Sequence, residues 1–320
     1  MVDLCRRLAV ALQEDEGLLQ NLVVTDVFDE RVEASIRRFQ TSRGLEPTGI
    51  CGRHTWERLV EAGYRLGDRL LYRRSPPLRG EDVADLQTKL GSLGFDAGRI
   101  DGIFGDLTAA ALADFQRNVG LFPDGRFGTS TMEELLRLRT PADLGAVVAS
   151  LREREELRHG PQSLAGSIIT VAHLAGLDAL VEAVRRNLTA AGASVVSLNH
   201  PDGSRLAAQA NSAGARGFIA FVATSEPIGC TCSYYASYRW ESPSGRRLAE
   251  ALQQSVPHAA GVPALGTKGM SVPILRETRM PAVICEVAPT TALVQRSTEV
   301  ASSVTDAVHR WLGVSEANNR

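Results

Sequence analysis

The feature that most constrains this chain is an internal repeat in its first half. Nine residues recur in the same order at a constant offset of 76 positions. Nine matches in one register are very improbable by chance. Residues 1–137 are therefore predicted to fold as two copies of one unit. The matching residues are Phe28, Phe39, Gln40, Gly44, Leu45, Gly49, Gly52, Thr55 and Leu59, which return as Phe104, Phe115, Gln116, Gly120, Leu121, Gly125, Gly128, Thr131 and Leu135.

Each copy predicts three short helices. In the second copy an apolar stripe of helical spacing marks the first helix, and a second helix is predicted from about Thr108 to Val119, ending at Gly120. A Pro123-Asp124-Gly125 turn follows, and Thr129 or Ser130 can cap a third helix. The stripe consists of Val83, Leu86, Leu90 and Leu93, and its counterpart in the first copy is Cys5, Leu8 and Leu12.

The motifs of the two copies resemble a known family. The segment RRFQTSRGLEPTGICGRHTWERL, echoed by ADFQRNVGLFPDGRFGTSTMEEL, resembles the peptidoglycan-binding type 1 module. The resemblance implies an all-α three-helix bundle in 1–62 and another in 63–137, with peptidoglycan stem peptides or muropeptides as ligands. We expect Phe39, Phe115, Leu45 and Leu121 to be core residues, so the motif predicts the fold without identifying the residues that contact ligand.

The second half alternates strand and helix patterns. After a charged connector at 138–165, the region 166–313 predicts an α/β domain with a mixed sheet flanked by helices, followed by a short tail at 314–320. Strands are predicted at 167–172, 194–198, 217–223, 272–275 and 282–287. Helices are predicted at 177–188, 245–256 and 291–312.

Three blocks of this region resemble the zinc-dependent N-acetylmuramoyl-L-alanine amidases of the amidase 3 type. The blocks read NLTAAGASVVSL, AAQANSAGARGFIAFVA and TRMPAVICEVAPTTALV. Together with the two modules, the domain is similar to actinobacterial amidase-like proteins, some of which regulate cell-wall precursor synthesis. That likeness implies a cell-wall synthesis protein as a further partner.

The resemblance implies a His-Glu-His zinc site with an open position for water. His173 falls on the first ligand position, but the segment that would supply the ligand Glu is missing, and Val222 occupies the position of the third ligand. Asp178 and Glu182 lie nearby without the required register. His173 is therefore interpreted either as a vestigial ligand or as a polar residue that ends a strand.

Glu286 falls on the family's general-base position, at the end of an apolar strand. A buried carboxylate without a partner is costly, so this Glu requires an explanation. It is interpreted as a relic of catalysis. The alternative is a partly exposed side chain bonded to a neighbouring loop, with Arg276 or Arg279 as its partner.

The cysteines are only weak evidence for a different metal site. Cys230 and Cys232 form a lone Cys-x-Cys pair, and Cys285 adjoins Glu286, but no second pair stands at zinc-ligand spacing. Packing is the interpretation we favour, because no histidine is placed beside Cys285 to activate it as a nucleophile.

Composition narrows the function and location. Lys and Arg total 35 against 37 Asp and Glu, which argues against nucleic-acid binding, and no apolar run is long enough to span a membrane. The N-terminal segment lacks signal-peptide features, and five cysteines are an odd number. We therefore predict a cytoplasmic protein with reduced thiols; a leader upstream of this start would instead place it in the cell wall.

Three functions follow from this sequence. The first is a peptidoglycan- or precursor-binding regulator with a degenerate, non-catalytic amidase domain and no cofactor. The second is a working zinc-dependent amidase, a hydrolase that cleaves the muramoyl–L-alanine bond. The third is a wall-binding scaffold without regulation. A measured zinc content separates the second from the others.

Overall fold

The computed structural model describes residues 1–12, 27–138, 149–153, 155, 159–161, 163–174, 176–237 and 239–313. The chain divides into two compact units, Met1–Arg152 with Tyr238–Trp240, and Glu153–Ser237 with Glu241–Arg320. Much of the predicted connector, including 139–148, and the predicted tail at 314–320 lie outside the described residues.

The first unit contains the two predicted three-helix bundles. In the first copy, α1 (Val2–Ala11), α2 (Glu30–Ser42) and α3 (Arg53–Glu61) enclose a core centred on Leu8, Ile36, Phe39 and Leu59. In the second copy, α4 (Glu81–Ser92), α5 (Asp106–Asn118) and α6 (Thr129–Arg137) enclose a core that includes Leu86, Phe104, Phe115, Phe127 and Leu135. The helical fold that the repeat predicts is therefore confirmed.

One repeated pair differs in its surroundings. Phe104 is almost completely buried, whereas its counterpart Phe28 is 49% exposed. Both residues lie two positions before the second helix of their copy, so equal spacing does not give them an equal place in the core.

A buried glutamine closes the turn between the second and third helix of each copy. Gln116 on α5 places its Nε2 3.0 Å from the carbonyl oxygen of Arg126 and within 3.2 Å of the side chains of Asp124 and Thr131, while its Oε1 accepts from the Gly125 N–H at 2.9 Å. One side-chain amide thus supplies hydrogen-bond partners to backbone groups of the turn that are shielded from water.

Gln40 on α2 makes the same set of bonds in the first copy. Its Nε2 lies 3.0 Å from the carbonyl oxygen of Ile50 and within 3.1 Å of the hydroxyls of Thr48 and Thr55, and its Oε1 accepts from Gly49. Gly49 and Gly125 both adopt a positive φ, at 77° and 65°, which the turn requires. We call this arrangement the glutamine clamp.

The second copy contains the glutamine clamp twice. Gln87 on α4 holds the turn Asp101-Gly102-Ile103 and reaches Thr108, and the sequence DGIFG at 101–105 parallels DGRFG at 124–128. The first copy has Ala11 and Val32 where the second has Gln87 and Thr108. This inner similarity was missed by the sequence analysis, because it relates two turns within one copy.

We expect Gln116→Ala to destabilise α5 and α6 by roughly 2–4 kcal/mol, since the buried Gly125 N–H loses its acceptor and three further groups lose a partner. Amide hydrogen exchange of the full chain measures the opening free energy of these helices. Glu133→Ala, at an exposed position on α6, is the control and should stay within about 0.5 kcal/mol. Equal protection in both variants would contradict a stabilising role for the clamp.

The second unit is built on a six-stranded mixed sheet. Its strand order is β2-β1-β3-β6-β4-β5, with β4 antiparallel to β6 and the other neighbours parallel. The strands are β1 (Ile168–His173), β2 (Ser194–Asn199), β3 (Gly217–Ala223), β4 (Gly229–Tyr235), β5 (Ala264–Met270) and β6 (Ala282–Ala288).

Helices cover both faces of this sheet. The face that carries Val171, Phe221 and Cys285, called the long-helix face, packs against α7 (Asp178–Ala190), α9 (Pro243–Ala260) and α12 (Ser297–Gly313). The chain crosses from β1 to β2 on one side and returns to β3 on the other, as right-handed crossovers require. The opposite, short-helix face therefore carries α8 (Gly203–Ser212) and α10 (Pro273–Arg276), while α11 (Thr290–Gln295) precedes α12.

The predicted α/β class is confirmed, but three elements were missed and one was wrong. The strand predicted at 272–275 is wrong, since Pro273 begins the short helix α10 there. Proline suits the first turn of a helix and has no N–H to donate to a sheet. Strands β4 and β5 were missed because Gly, Ser, Thr and Lys interrupt their apolar pattern, and α8 was missed as well. None of the helices in the described part of the chain is long and apolar enough to cross a membrane.

Candidate functional site

The residues that the sequence analysis singled out lie near the carboxyl ends of the parallel strands β1, β3 and β6. His173 is the last residue of β1 and pairs in register with Asn199 on β2 and Phe221 on β3. Val222, one position further along β3, pairs with Glu286 on β6. The third-ligand position and the general-base position of the amidase pattern are therefore direct neighbours.

His173 and Glu286 face opposite sides of the sheet. Side chains alternate along a strand, and residues paired across neighbouring strands share a face. His173 therefore shares the long-helix face with Phe221, whereas Val222 and Glu286 belong to the short-helix face. Across the sheet, Glu286 also pairs with Thr231 of β4, and its side chain is half-buried.

The imidazole of His173 is held by the start of α7. It is 2% exposed, its Nδ1 accepts from the Leu177 N–H at 3.4 Å, and its Nε2 lies 3.3 Å from Oδ1 of Asp178. A neutral ring protonated at Nε2 satisfies both contacts. Asp178 is 78% exposed and also lies 3.5 Å from Nδ2 of Asn199. This contact between His173 and Asp178 was missed by the sequence analysis.

The donors at this edge do not fit the zinc site that the amidase family implies. A catalytic zinc takes three protein ligands and a water, but Val222 has no donor atom and both ring nitrogens of His173 are engaged. Glu182 lies one turn into α7 and pairs with Arg185 at 2.6 Å. Across the described ranges, no group of three His, Cys, Asp or Glu residues is arranged to hold a metal.

The cysteines occupy the long-helix face instead. Cys232 and Cys285 pair across β4 and β6 with their Sγ atoms 3.6 Å apart, and Cys230 lies two residues before Cys232 on the same face. The hydrogen bond that the Cys230 thiol donates to Cys232, followed by burial, raises the pKa of Cys230. The hydrogen bond with Cys230 lowers the pKa of Cys232, but the hydrogen bond with Cys285 and burial raise it well above its ordinary value. The hydrogen bond with Cys232 lowers the pKa of Cys285, and burial raises it to a net increase. These properties suit packing and oppose nucleophilic or metal-binding roles, both of which use the thiolate.

The second helical copy carries an open groove of about 460 Å³ beside its glutamine clamp. Its floor is formed by alanines of α5, and its rim by the turn that Gln116 holds and by Tyr72, Arg73 and Asp106. The guanidinium of Arg126 lies 5.5 Å from the centre of the Tyr72 ring, and Arg73 pairs with Asp106. A groove of this size suits a small peptide. The alanines are Ala109, Ala110 and Ala113.

Comparisons with known proteins find relatives of both halves of the chain. The model of the family "Putative peptidoglycan binding domain" matches residues 11–59 and 79–135. The N-acetylmuramoyl-L-alanine amidase CwlM of Mycobacterium tuberculosis is 32% identical over an alignment of 327 positions, which covers 92% of this chain and 80% of CwlM. A spore cortex-lytic enzyme of Oceanobacillus iheyensis is 47% identical over 58 residues, or 18% of this chain and 21% of that enzyme.

Two solved amidase structures are also similar. The amidase Ami1 of Mycobacterium smegmatis aligns over 48% of this chain and 99% of its own with 16% identity and a TM-score of 0.40. The catalytic domain of CwlV from Paenibacillus polymyxa aligns over 46% of this chain and 99% of its own, with 17% identity and a TM-score of 0.38.

We expect one thiol, Cys51, to react with Ellman's reagent faster than the other four in the native chain. Cys51 is half-buried, whereas the other four cysteines are buried. Desolvation raises the pKa of Cys51, so its thiolate fraction is small at neutral pH and its labelling rate should increase with pH. Cys51→Ser should remove the fast phase, and unfolding should expose the remaining thiols. Rapid labelling of Cys230, Cys232 or Cys285 in the native protein would contradict their role in packing.

Proposed function

The chain belongs to the same family as the amidase CwlM, and we propose that it binds peptidoglycan or its precursors and regulates cell-wall metabolism through a non-catalytic amidase-like domain. The family membership covers both halves of the chain, so it supports the peptidoglycan-binding modules and the amidase-like domain as one combination.

One observation carries the non-catalytic part of this proposal. Val222 pairs directly with Glu286, at the position where the amidase pattern requires a zinc-binding histidine. A valine offers no ligand, and His173 lies on the other face with both ring nitrogens engaged. The donor atoms that would activate a water therefore do not converge.

Without an activated water, Glu286 cannot account for enzymatic rates. General-base assistance by a positioned carboxylate contributes about 10²–10⁴-fold, whereas enzymes commonly accelerate reactions by 10⁶-fold or more. Glu286 is half-buried, and its neighbours across the sheet are Val222 and Thr231, neither of which is a metal-binding residue of the family pattern. A fold shared with an enzyme does not confer the enzyme's activity, because activity depends on the residues of the site.

The alternative function is that of an active zinc-dependent N-acetylmuramoyl-L-alanine amidase. It is favoured by the name of the relative CwlM and by Glu286, which occupies the general-base position. For this function the metal would need ligands that the family pattern does not provide.

The ligand, partner and location complete the proposal. The two modules favour the stem peptides of peptidoglycan or muropeptides as ligands, and the domain combination favours a cell-wall synthesis protein as a second partner. The cytoplasmic location and the absence of a cofactor stay predictions. Fractionation of the native cell tests the location, and recovery of the mature protein in the wall fraction would contradict it.

We expect the purified full chain to contain well below one zinc per molecule and to release no stem peptide from cell-wall preparations. The reason is the missing ligand at Val222 and the occupied nitrogens of His173. Metal analysis by mass spectrometry of protein prepared without chelators, together with a hydrolysis assay in added zinc, measures both quantities. The amidase Ami1 serves as the positive control for the assay.

Two variants sharpen this test. Glu286→Gln should leave partner binding unchanged, because the proposed function does not use its basicity. Val222→His should not restore hydrolysis, since His173 remains on the opposite face. One zinc per chain, with chelator-sensitive hydrolysis that Glu286→Gln abolishes, would establish the amidase instead.

A further inference from the structure

We propose that only the second module binds a stem peptide, in the groove beside Gln116, and that the first module has lost this site because Glu33 and Arg37 fill it. The inference rests on the proposed peptidoglycan-binding function and assigns the ligand to one of two modules that share a fold. It also assigns the chemistry of recognition, a carboxylate of the ligand bound by Arg126.

The groove of the second module is open because α5 presents small side chains there. Ala109 and Ala113, one turn apart, line it on the helix side, and Gly125 faces them from the clamped turn. A methyl group added at Gly125 would lie only 3.0 Å from the carbonyl oxygen of Ala109. Helix and turn are therefore in close contact at the base of the groove, and no long side chain lies against Gly125.

The equivalent positions of the first module carry long charged side chains. At the repeat offset, Ala109 and Ala113 correspond to Glu33 and Arg37. Arg37 Nη2 lies 2.7 Å from Oε1 of Glu33, and Arg37 Nη1 donates to the carbonyl oxygen of Pro47 at 2.6 Å. The guanidinium is thus tied to the neighbouring helix residue and to the turn at the same time.

These two side chains lie directly against the glycine of the first module. A methyl group at Gly49 would come within 2.8 Å of Cγ of Glu33 and 2.9 Å of Nε of Arg37. The two modules share the glutamine clamp and the turn geometry, so the difference between an open and a filled groove results from the side chains on the second helix.

The open groove offers a guanidinium suited to a carboxylate. Arg126 is exposed, stacks over Tyr72, and forms no ion pair within the part of the chain that the structure describes. Of the two acidic residues on the rim, Asp106 pairs with Arg73, and Asp124 accepts from Gln116 and from the Arg126 N–H. A guanidinium forms strong, directional bonds with a carboxylate. The first module has Ile50 and Thr48 in place of Arg126 and Asp124.

Stem peptides match this groove because they are short and carry free carboxylates. The alanine floor accepts small side chains such as those of alanine, which the muramoyl–L-alanine linkage places at the start of the stem. We therefore expect a carboxylate of the stem to bind Arg126 and the peptide backbone to lie along α5.

The test is titration of the full chain with a synthetic stem peptide that begins with L-alanine and bears free carboxylates. Calorimetry should give one site per chain. Ala113→Arg gives the second module the arginine that the first module has at the equivalent position, Arg37. This substitution should weaken binding at least tenfold. Arg37→Ala is the matched control and should leave affinity and stoichiometry unchanged. Amide hydrogen exchange of α5 in each variant verifies that the fold is intact.

A second pair of measurements tests the recognition of the carboxylate. Arg126→Ala should weaken binding of the free-acid peptide at least tenfold, and amidation of the peptide carboxylates should produce a similar loss in the native chain. Arg126→Ala should then have little further effect on the amidated peptide. Arg117→Ala, at an exposed position on α5, is the control and should change the affinity for neither peptide.

The outcomes separate this inference from the proposed function. If the native chain binds no stem peptide, the proposed ligand is wrong. If it binds but Ala113→Arg and Arg126→Ala bind equally well, the proposed ligand stands and the assignment to the second groove is overturned. Two sites per chain, with one lost in Arg37→Ala, would show that the first module binds as well.

Discussion

The buried glutamine amide of each turn is the interaction on which the helical half of this protein depends. Helices of nine to thirteen residues, like those of the two modules, are not stable alone and need tertiary contacts. The turn that brings the second and third helices together has buried backbone groups that require partners. Gln40 and Gln116 supply those partners from within the bundle, so one side chain joins two helices and fixes the turn between them.

Because both modules keep the same clamp, their grooves can differ without a change of fold. Gln116 positions the turn residues at the groove rim, including Asp124 and the backbone of Arg126. The groove floor is set separately, by residues on the outer side of the second helix. The first module keeps the same clamp with Glu33 and Arg37 at these positions, so the fold can persist while the groove is filled.

The sequence predicted most of this fold because its signals are periodic. Apolar spacing and turn glycines located the six helices of the modules, and continuous apolar runs located β1, β3 and β6. Strands β4 and β5 escaped prediction because they are defined by pairing with neighbours rather than by an apolar pattern. The motifs identified Val222 and Glu286 as site positions, but their pairing depends on the strand register, which the sequence does not determine. The contact of His173 with Asp178 depends on where α7 begins, which sequence spacing does not determine either.

The alternation of side chains in the sheet explains why the amidase-like site differs from a zinc site by more than one residue. A histidine at position 222 would stand beside Glu286, yet His173 would still lie on the other face, buried and bonded to the start of α7. Freeing its nitrogens would leave the Leu177 N–H without its acceptor and would break the contact with the carboxylate of Asp178. His173 is therefore part of the packing that joins β1 to the start of α7.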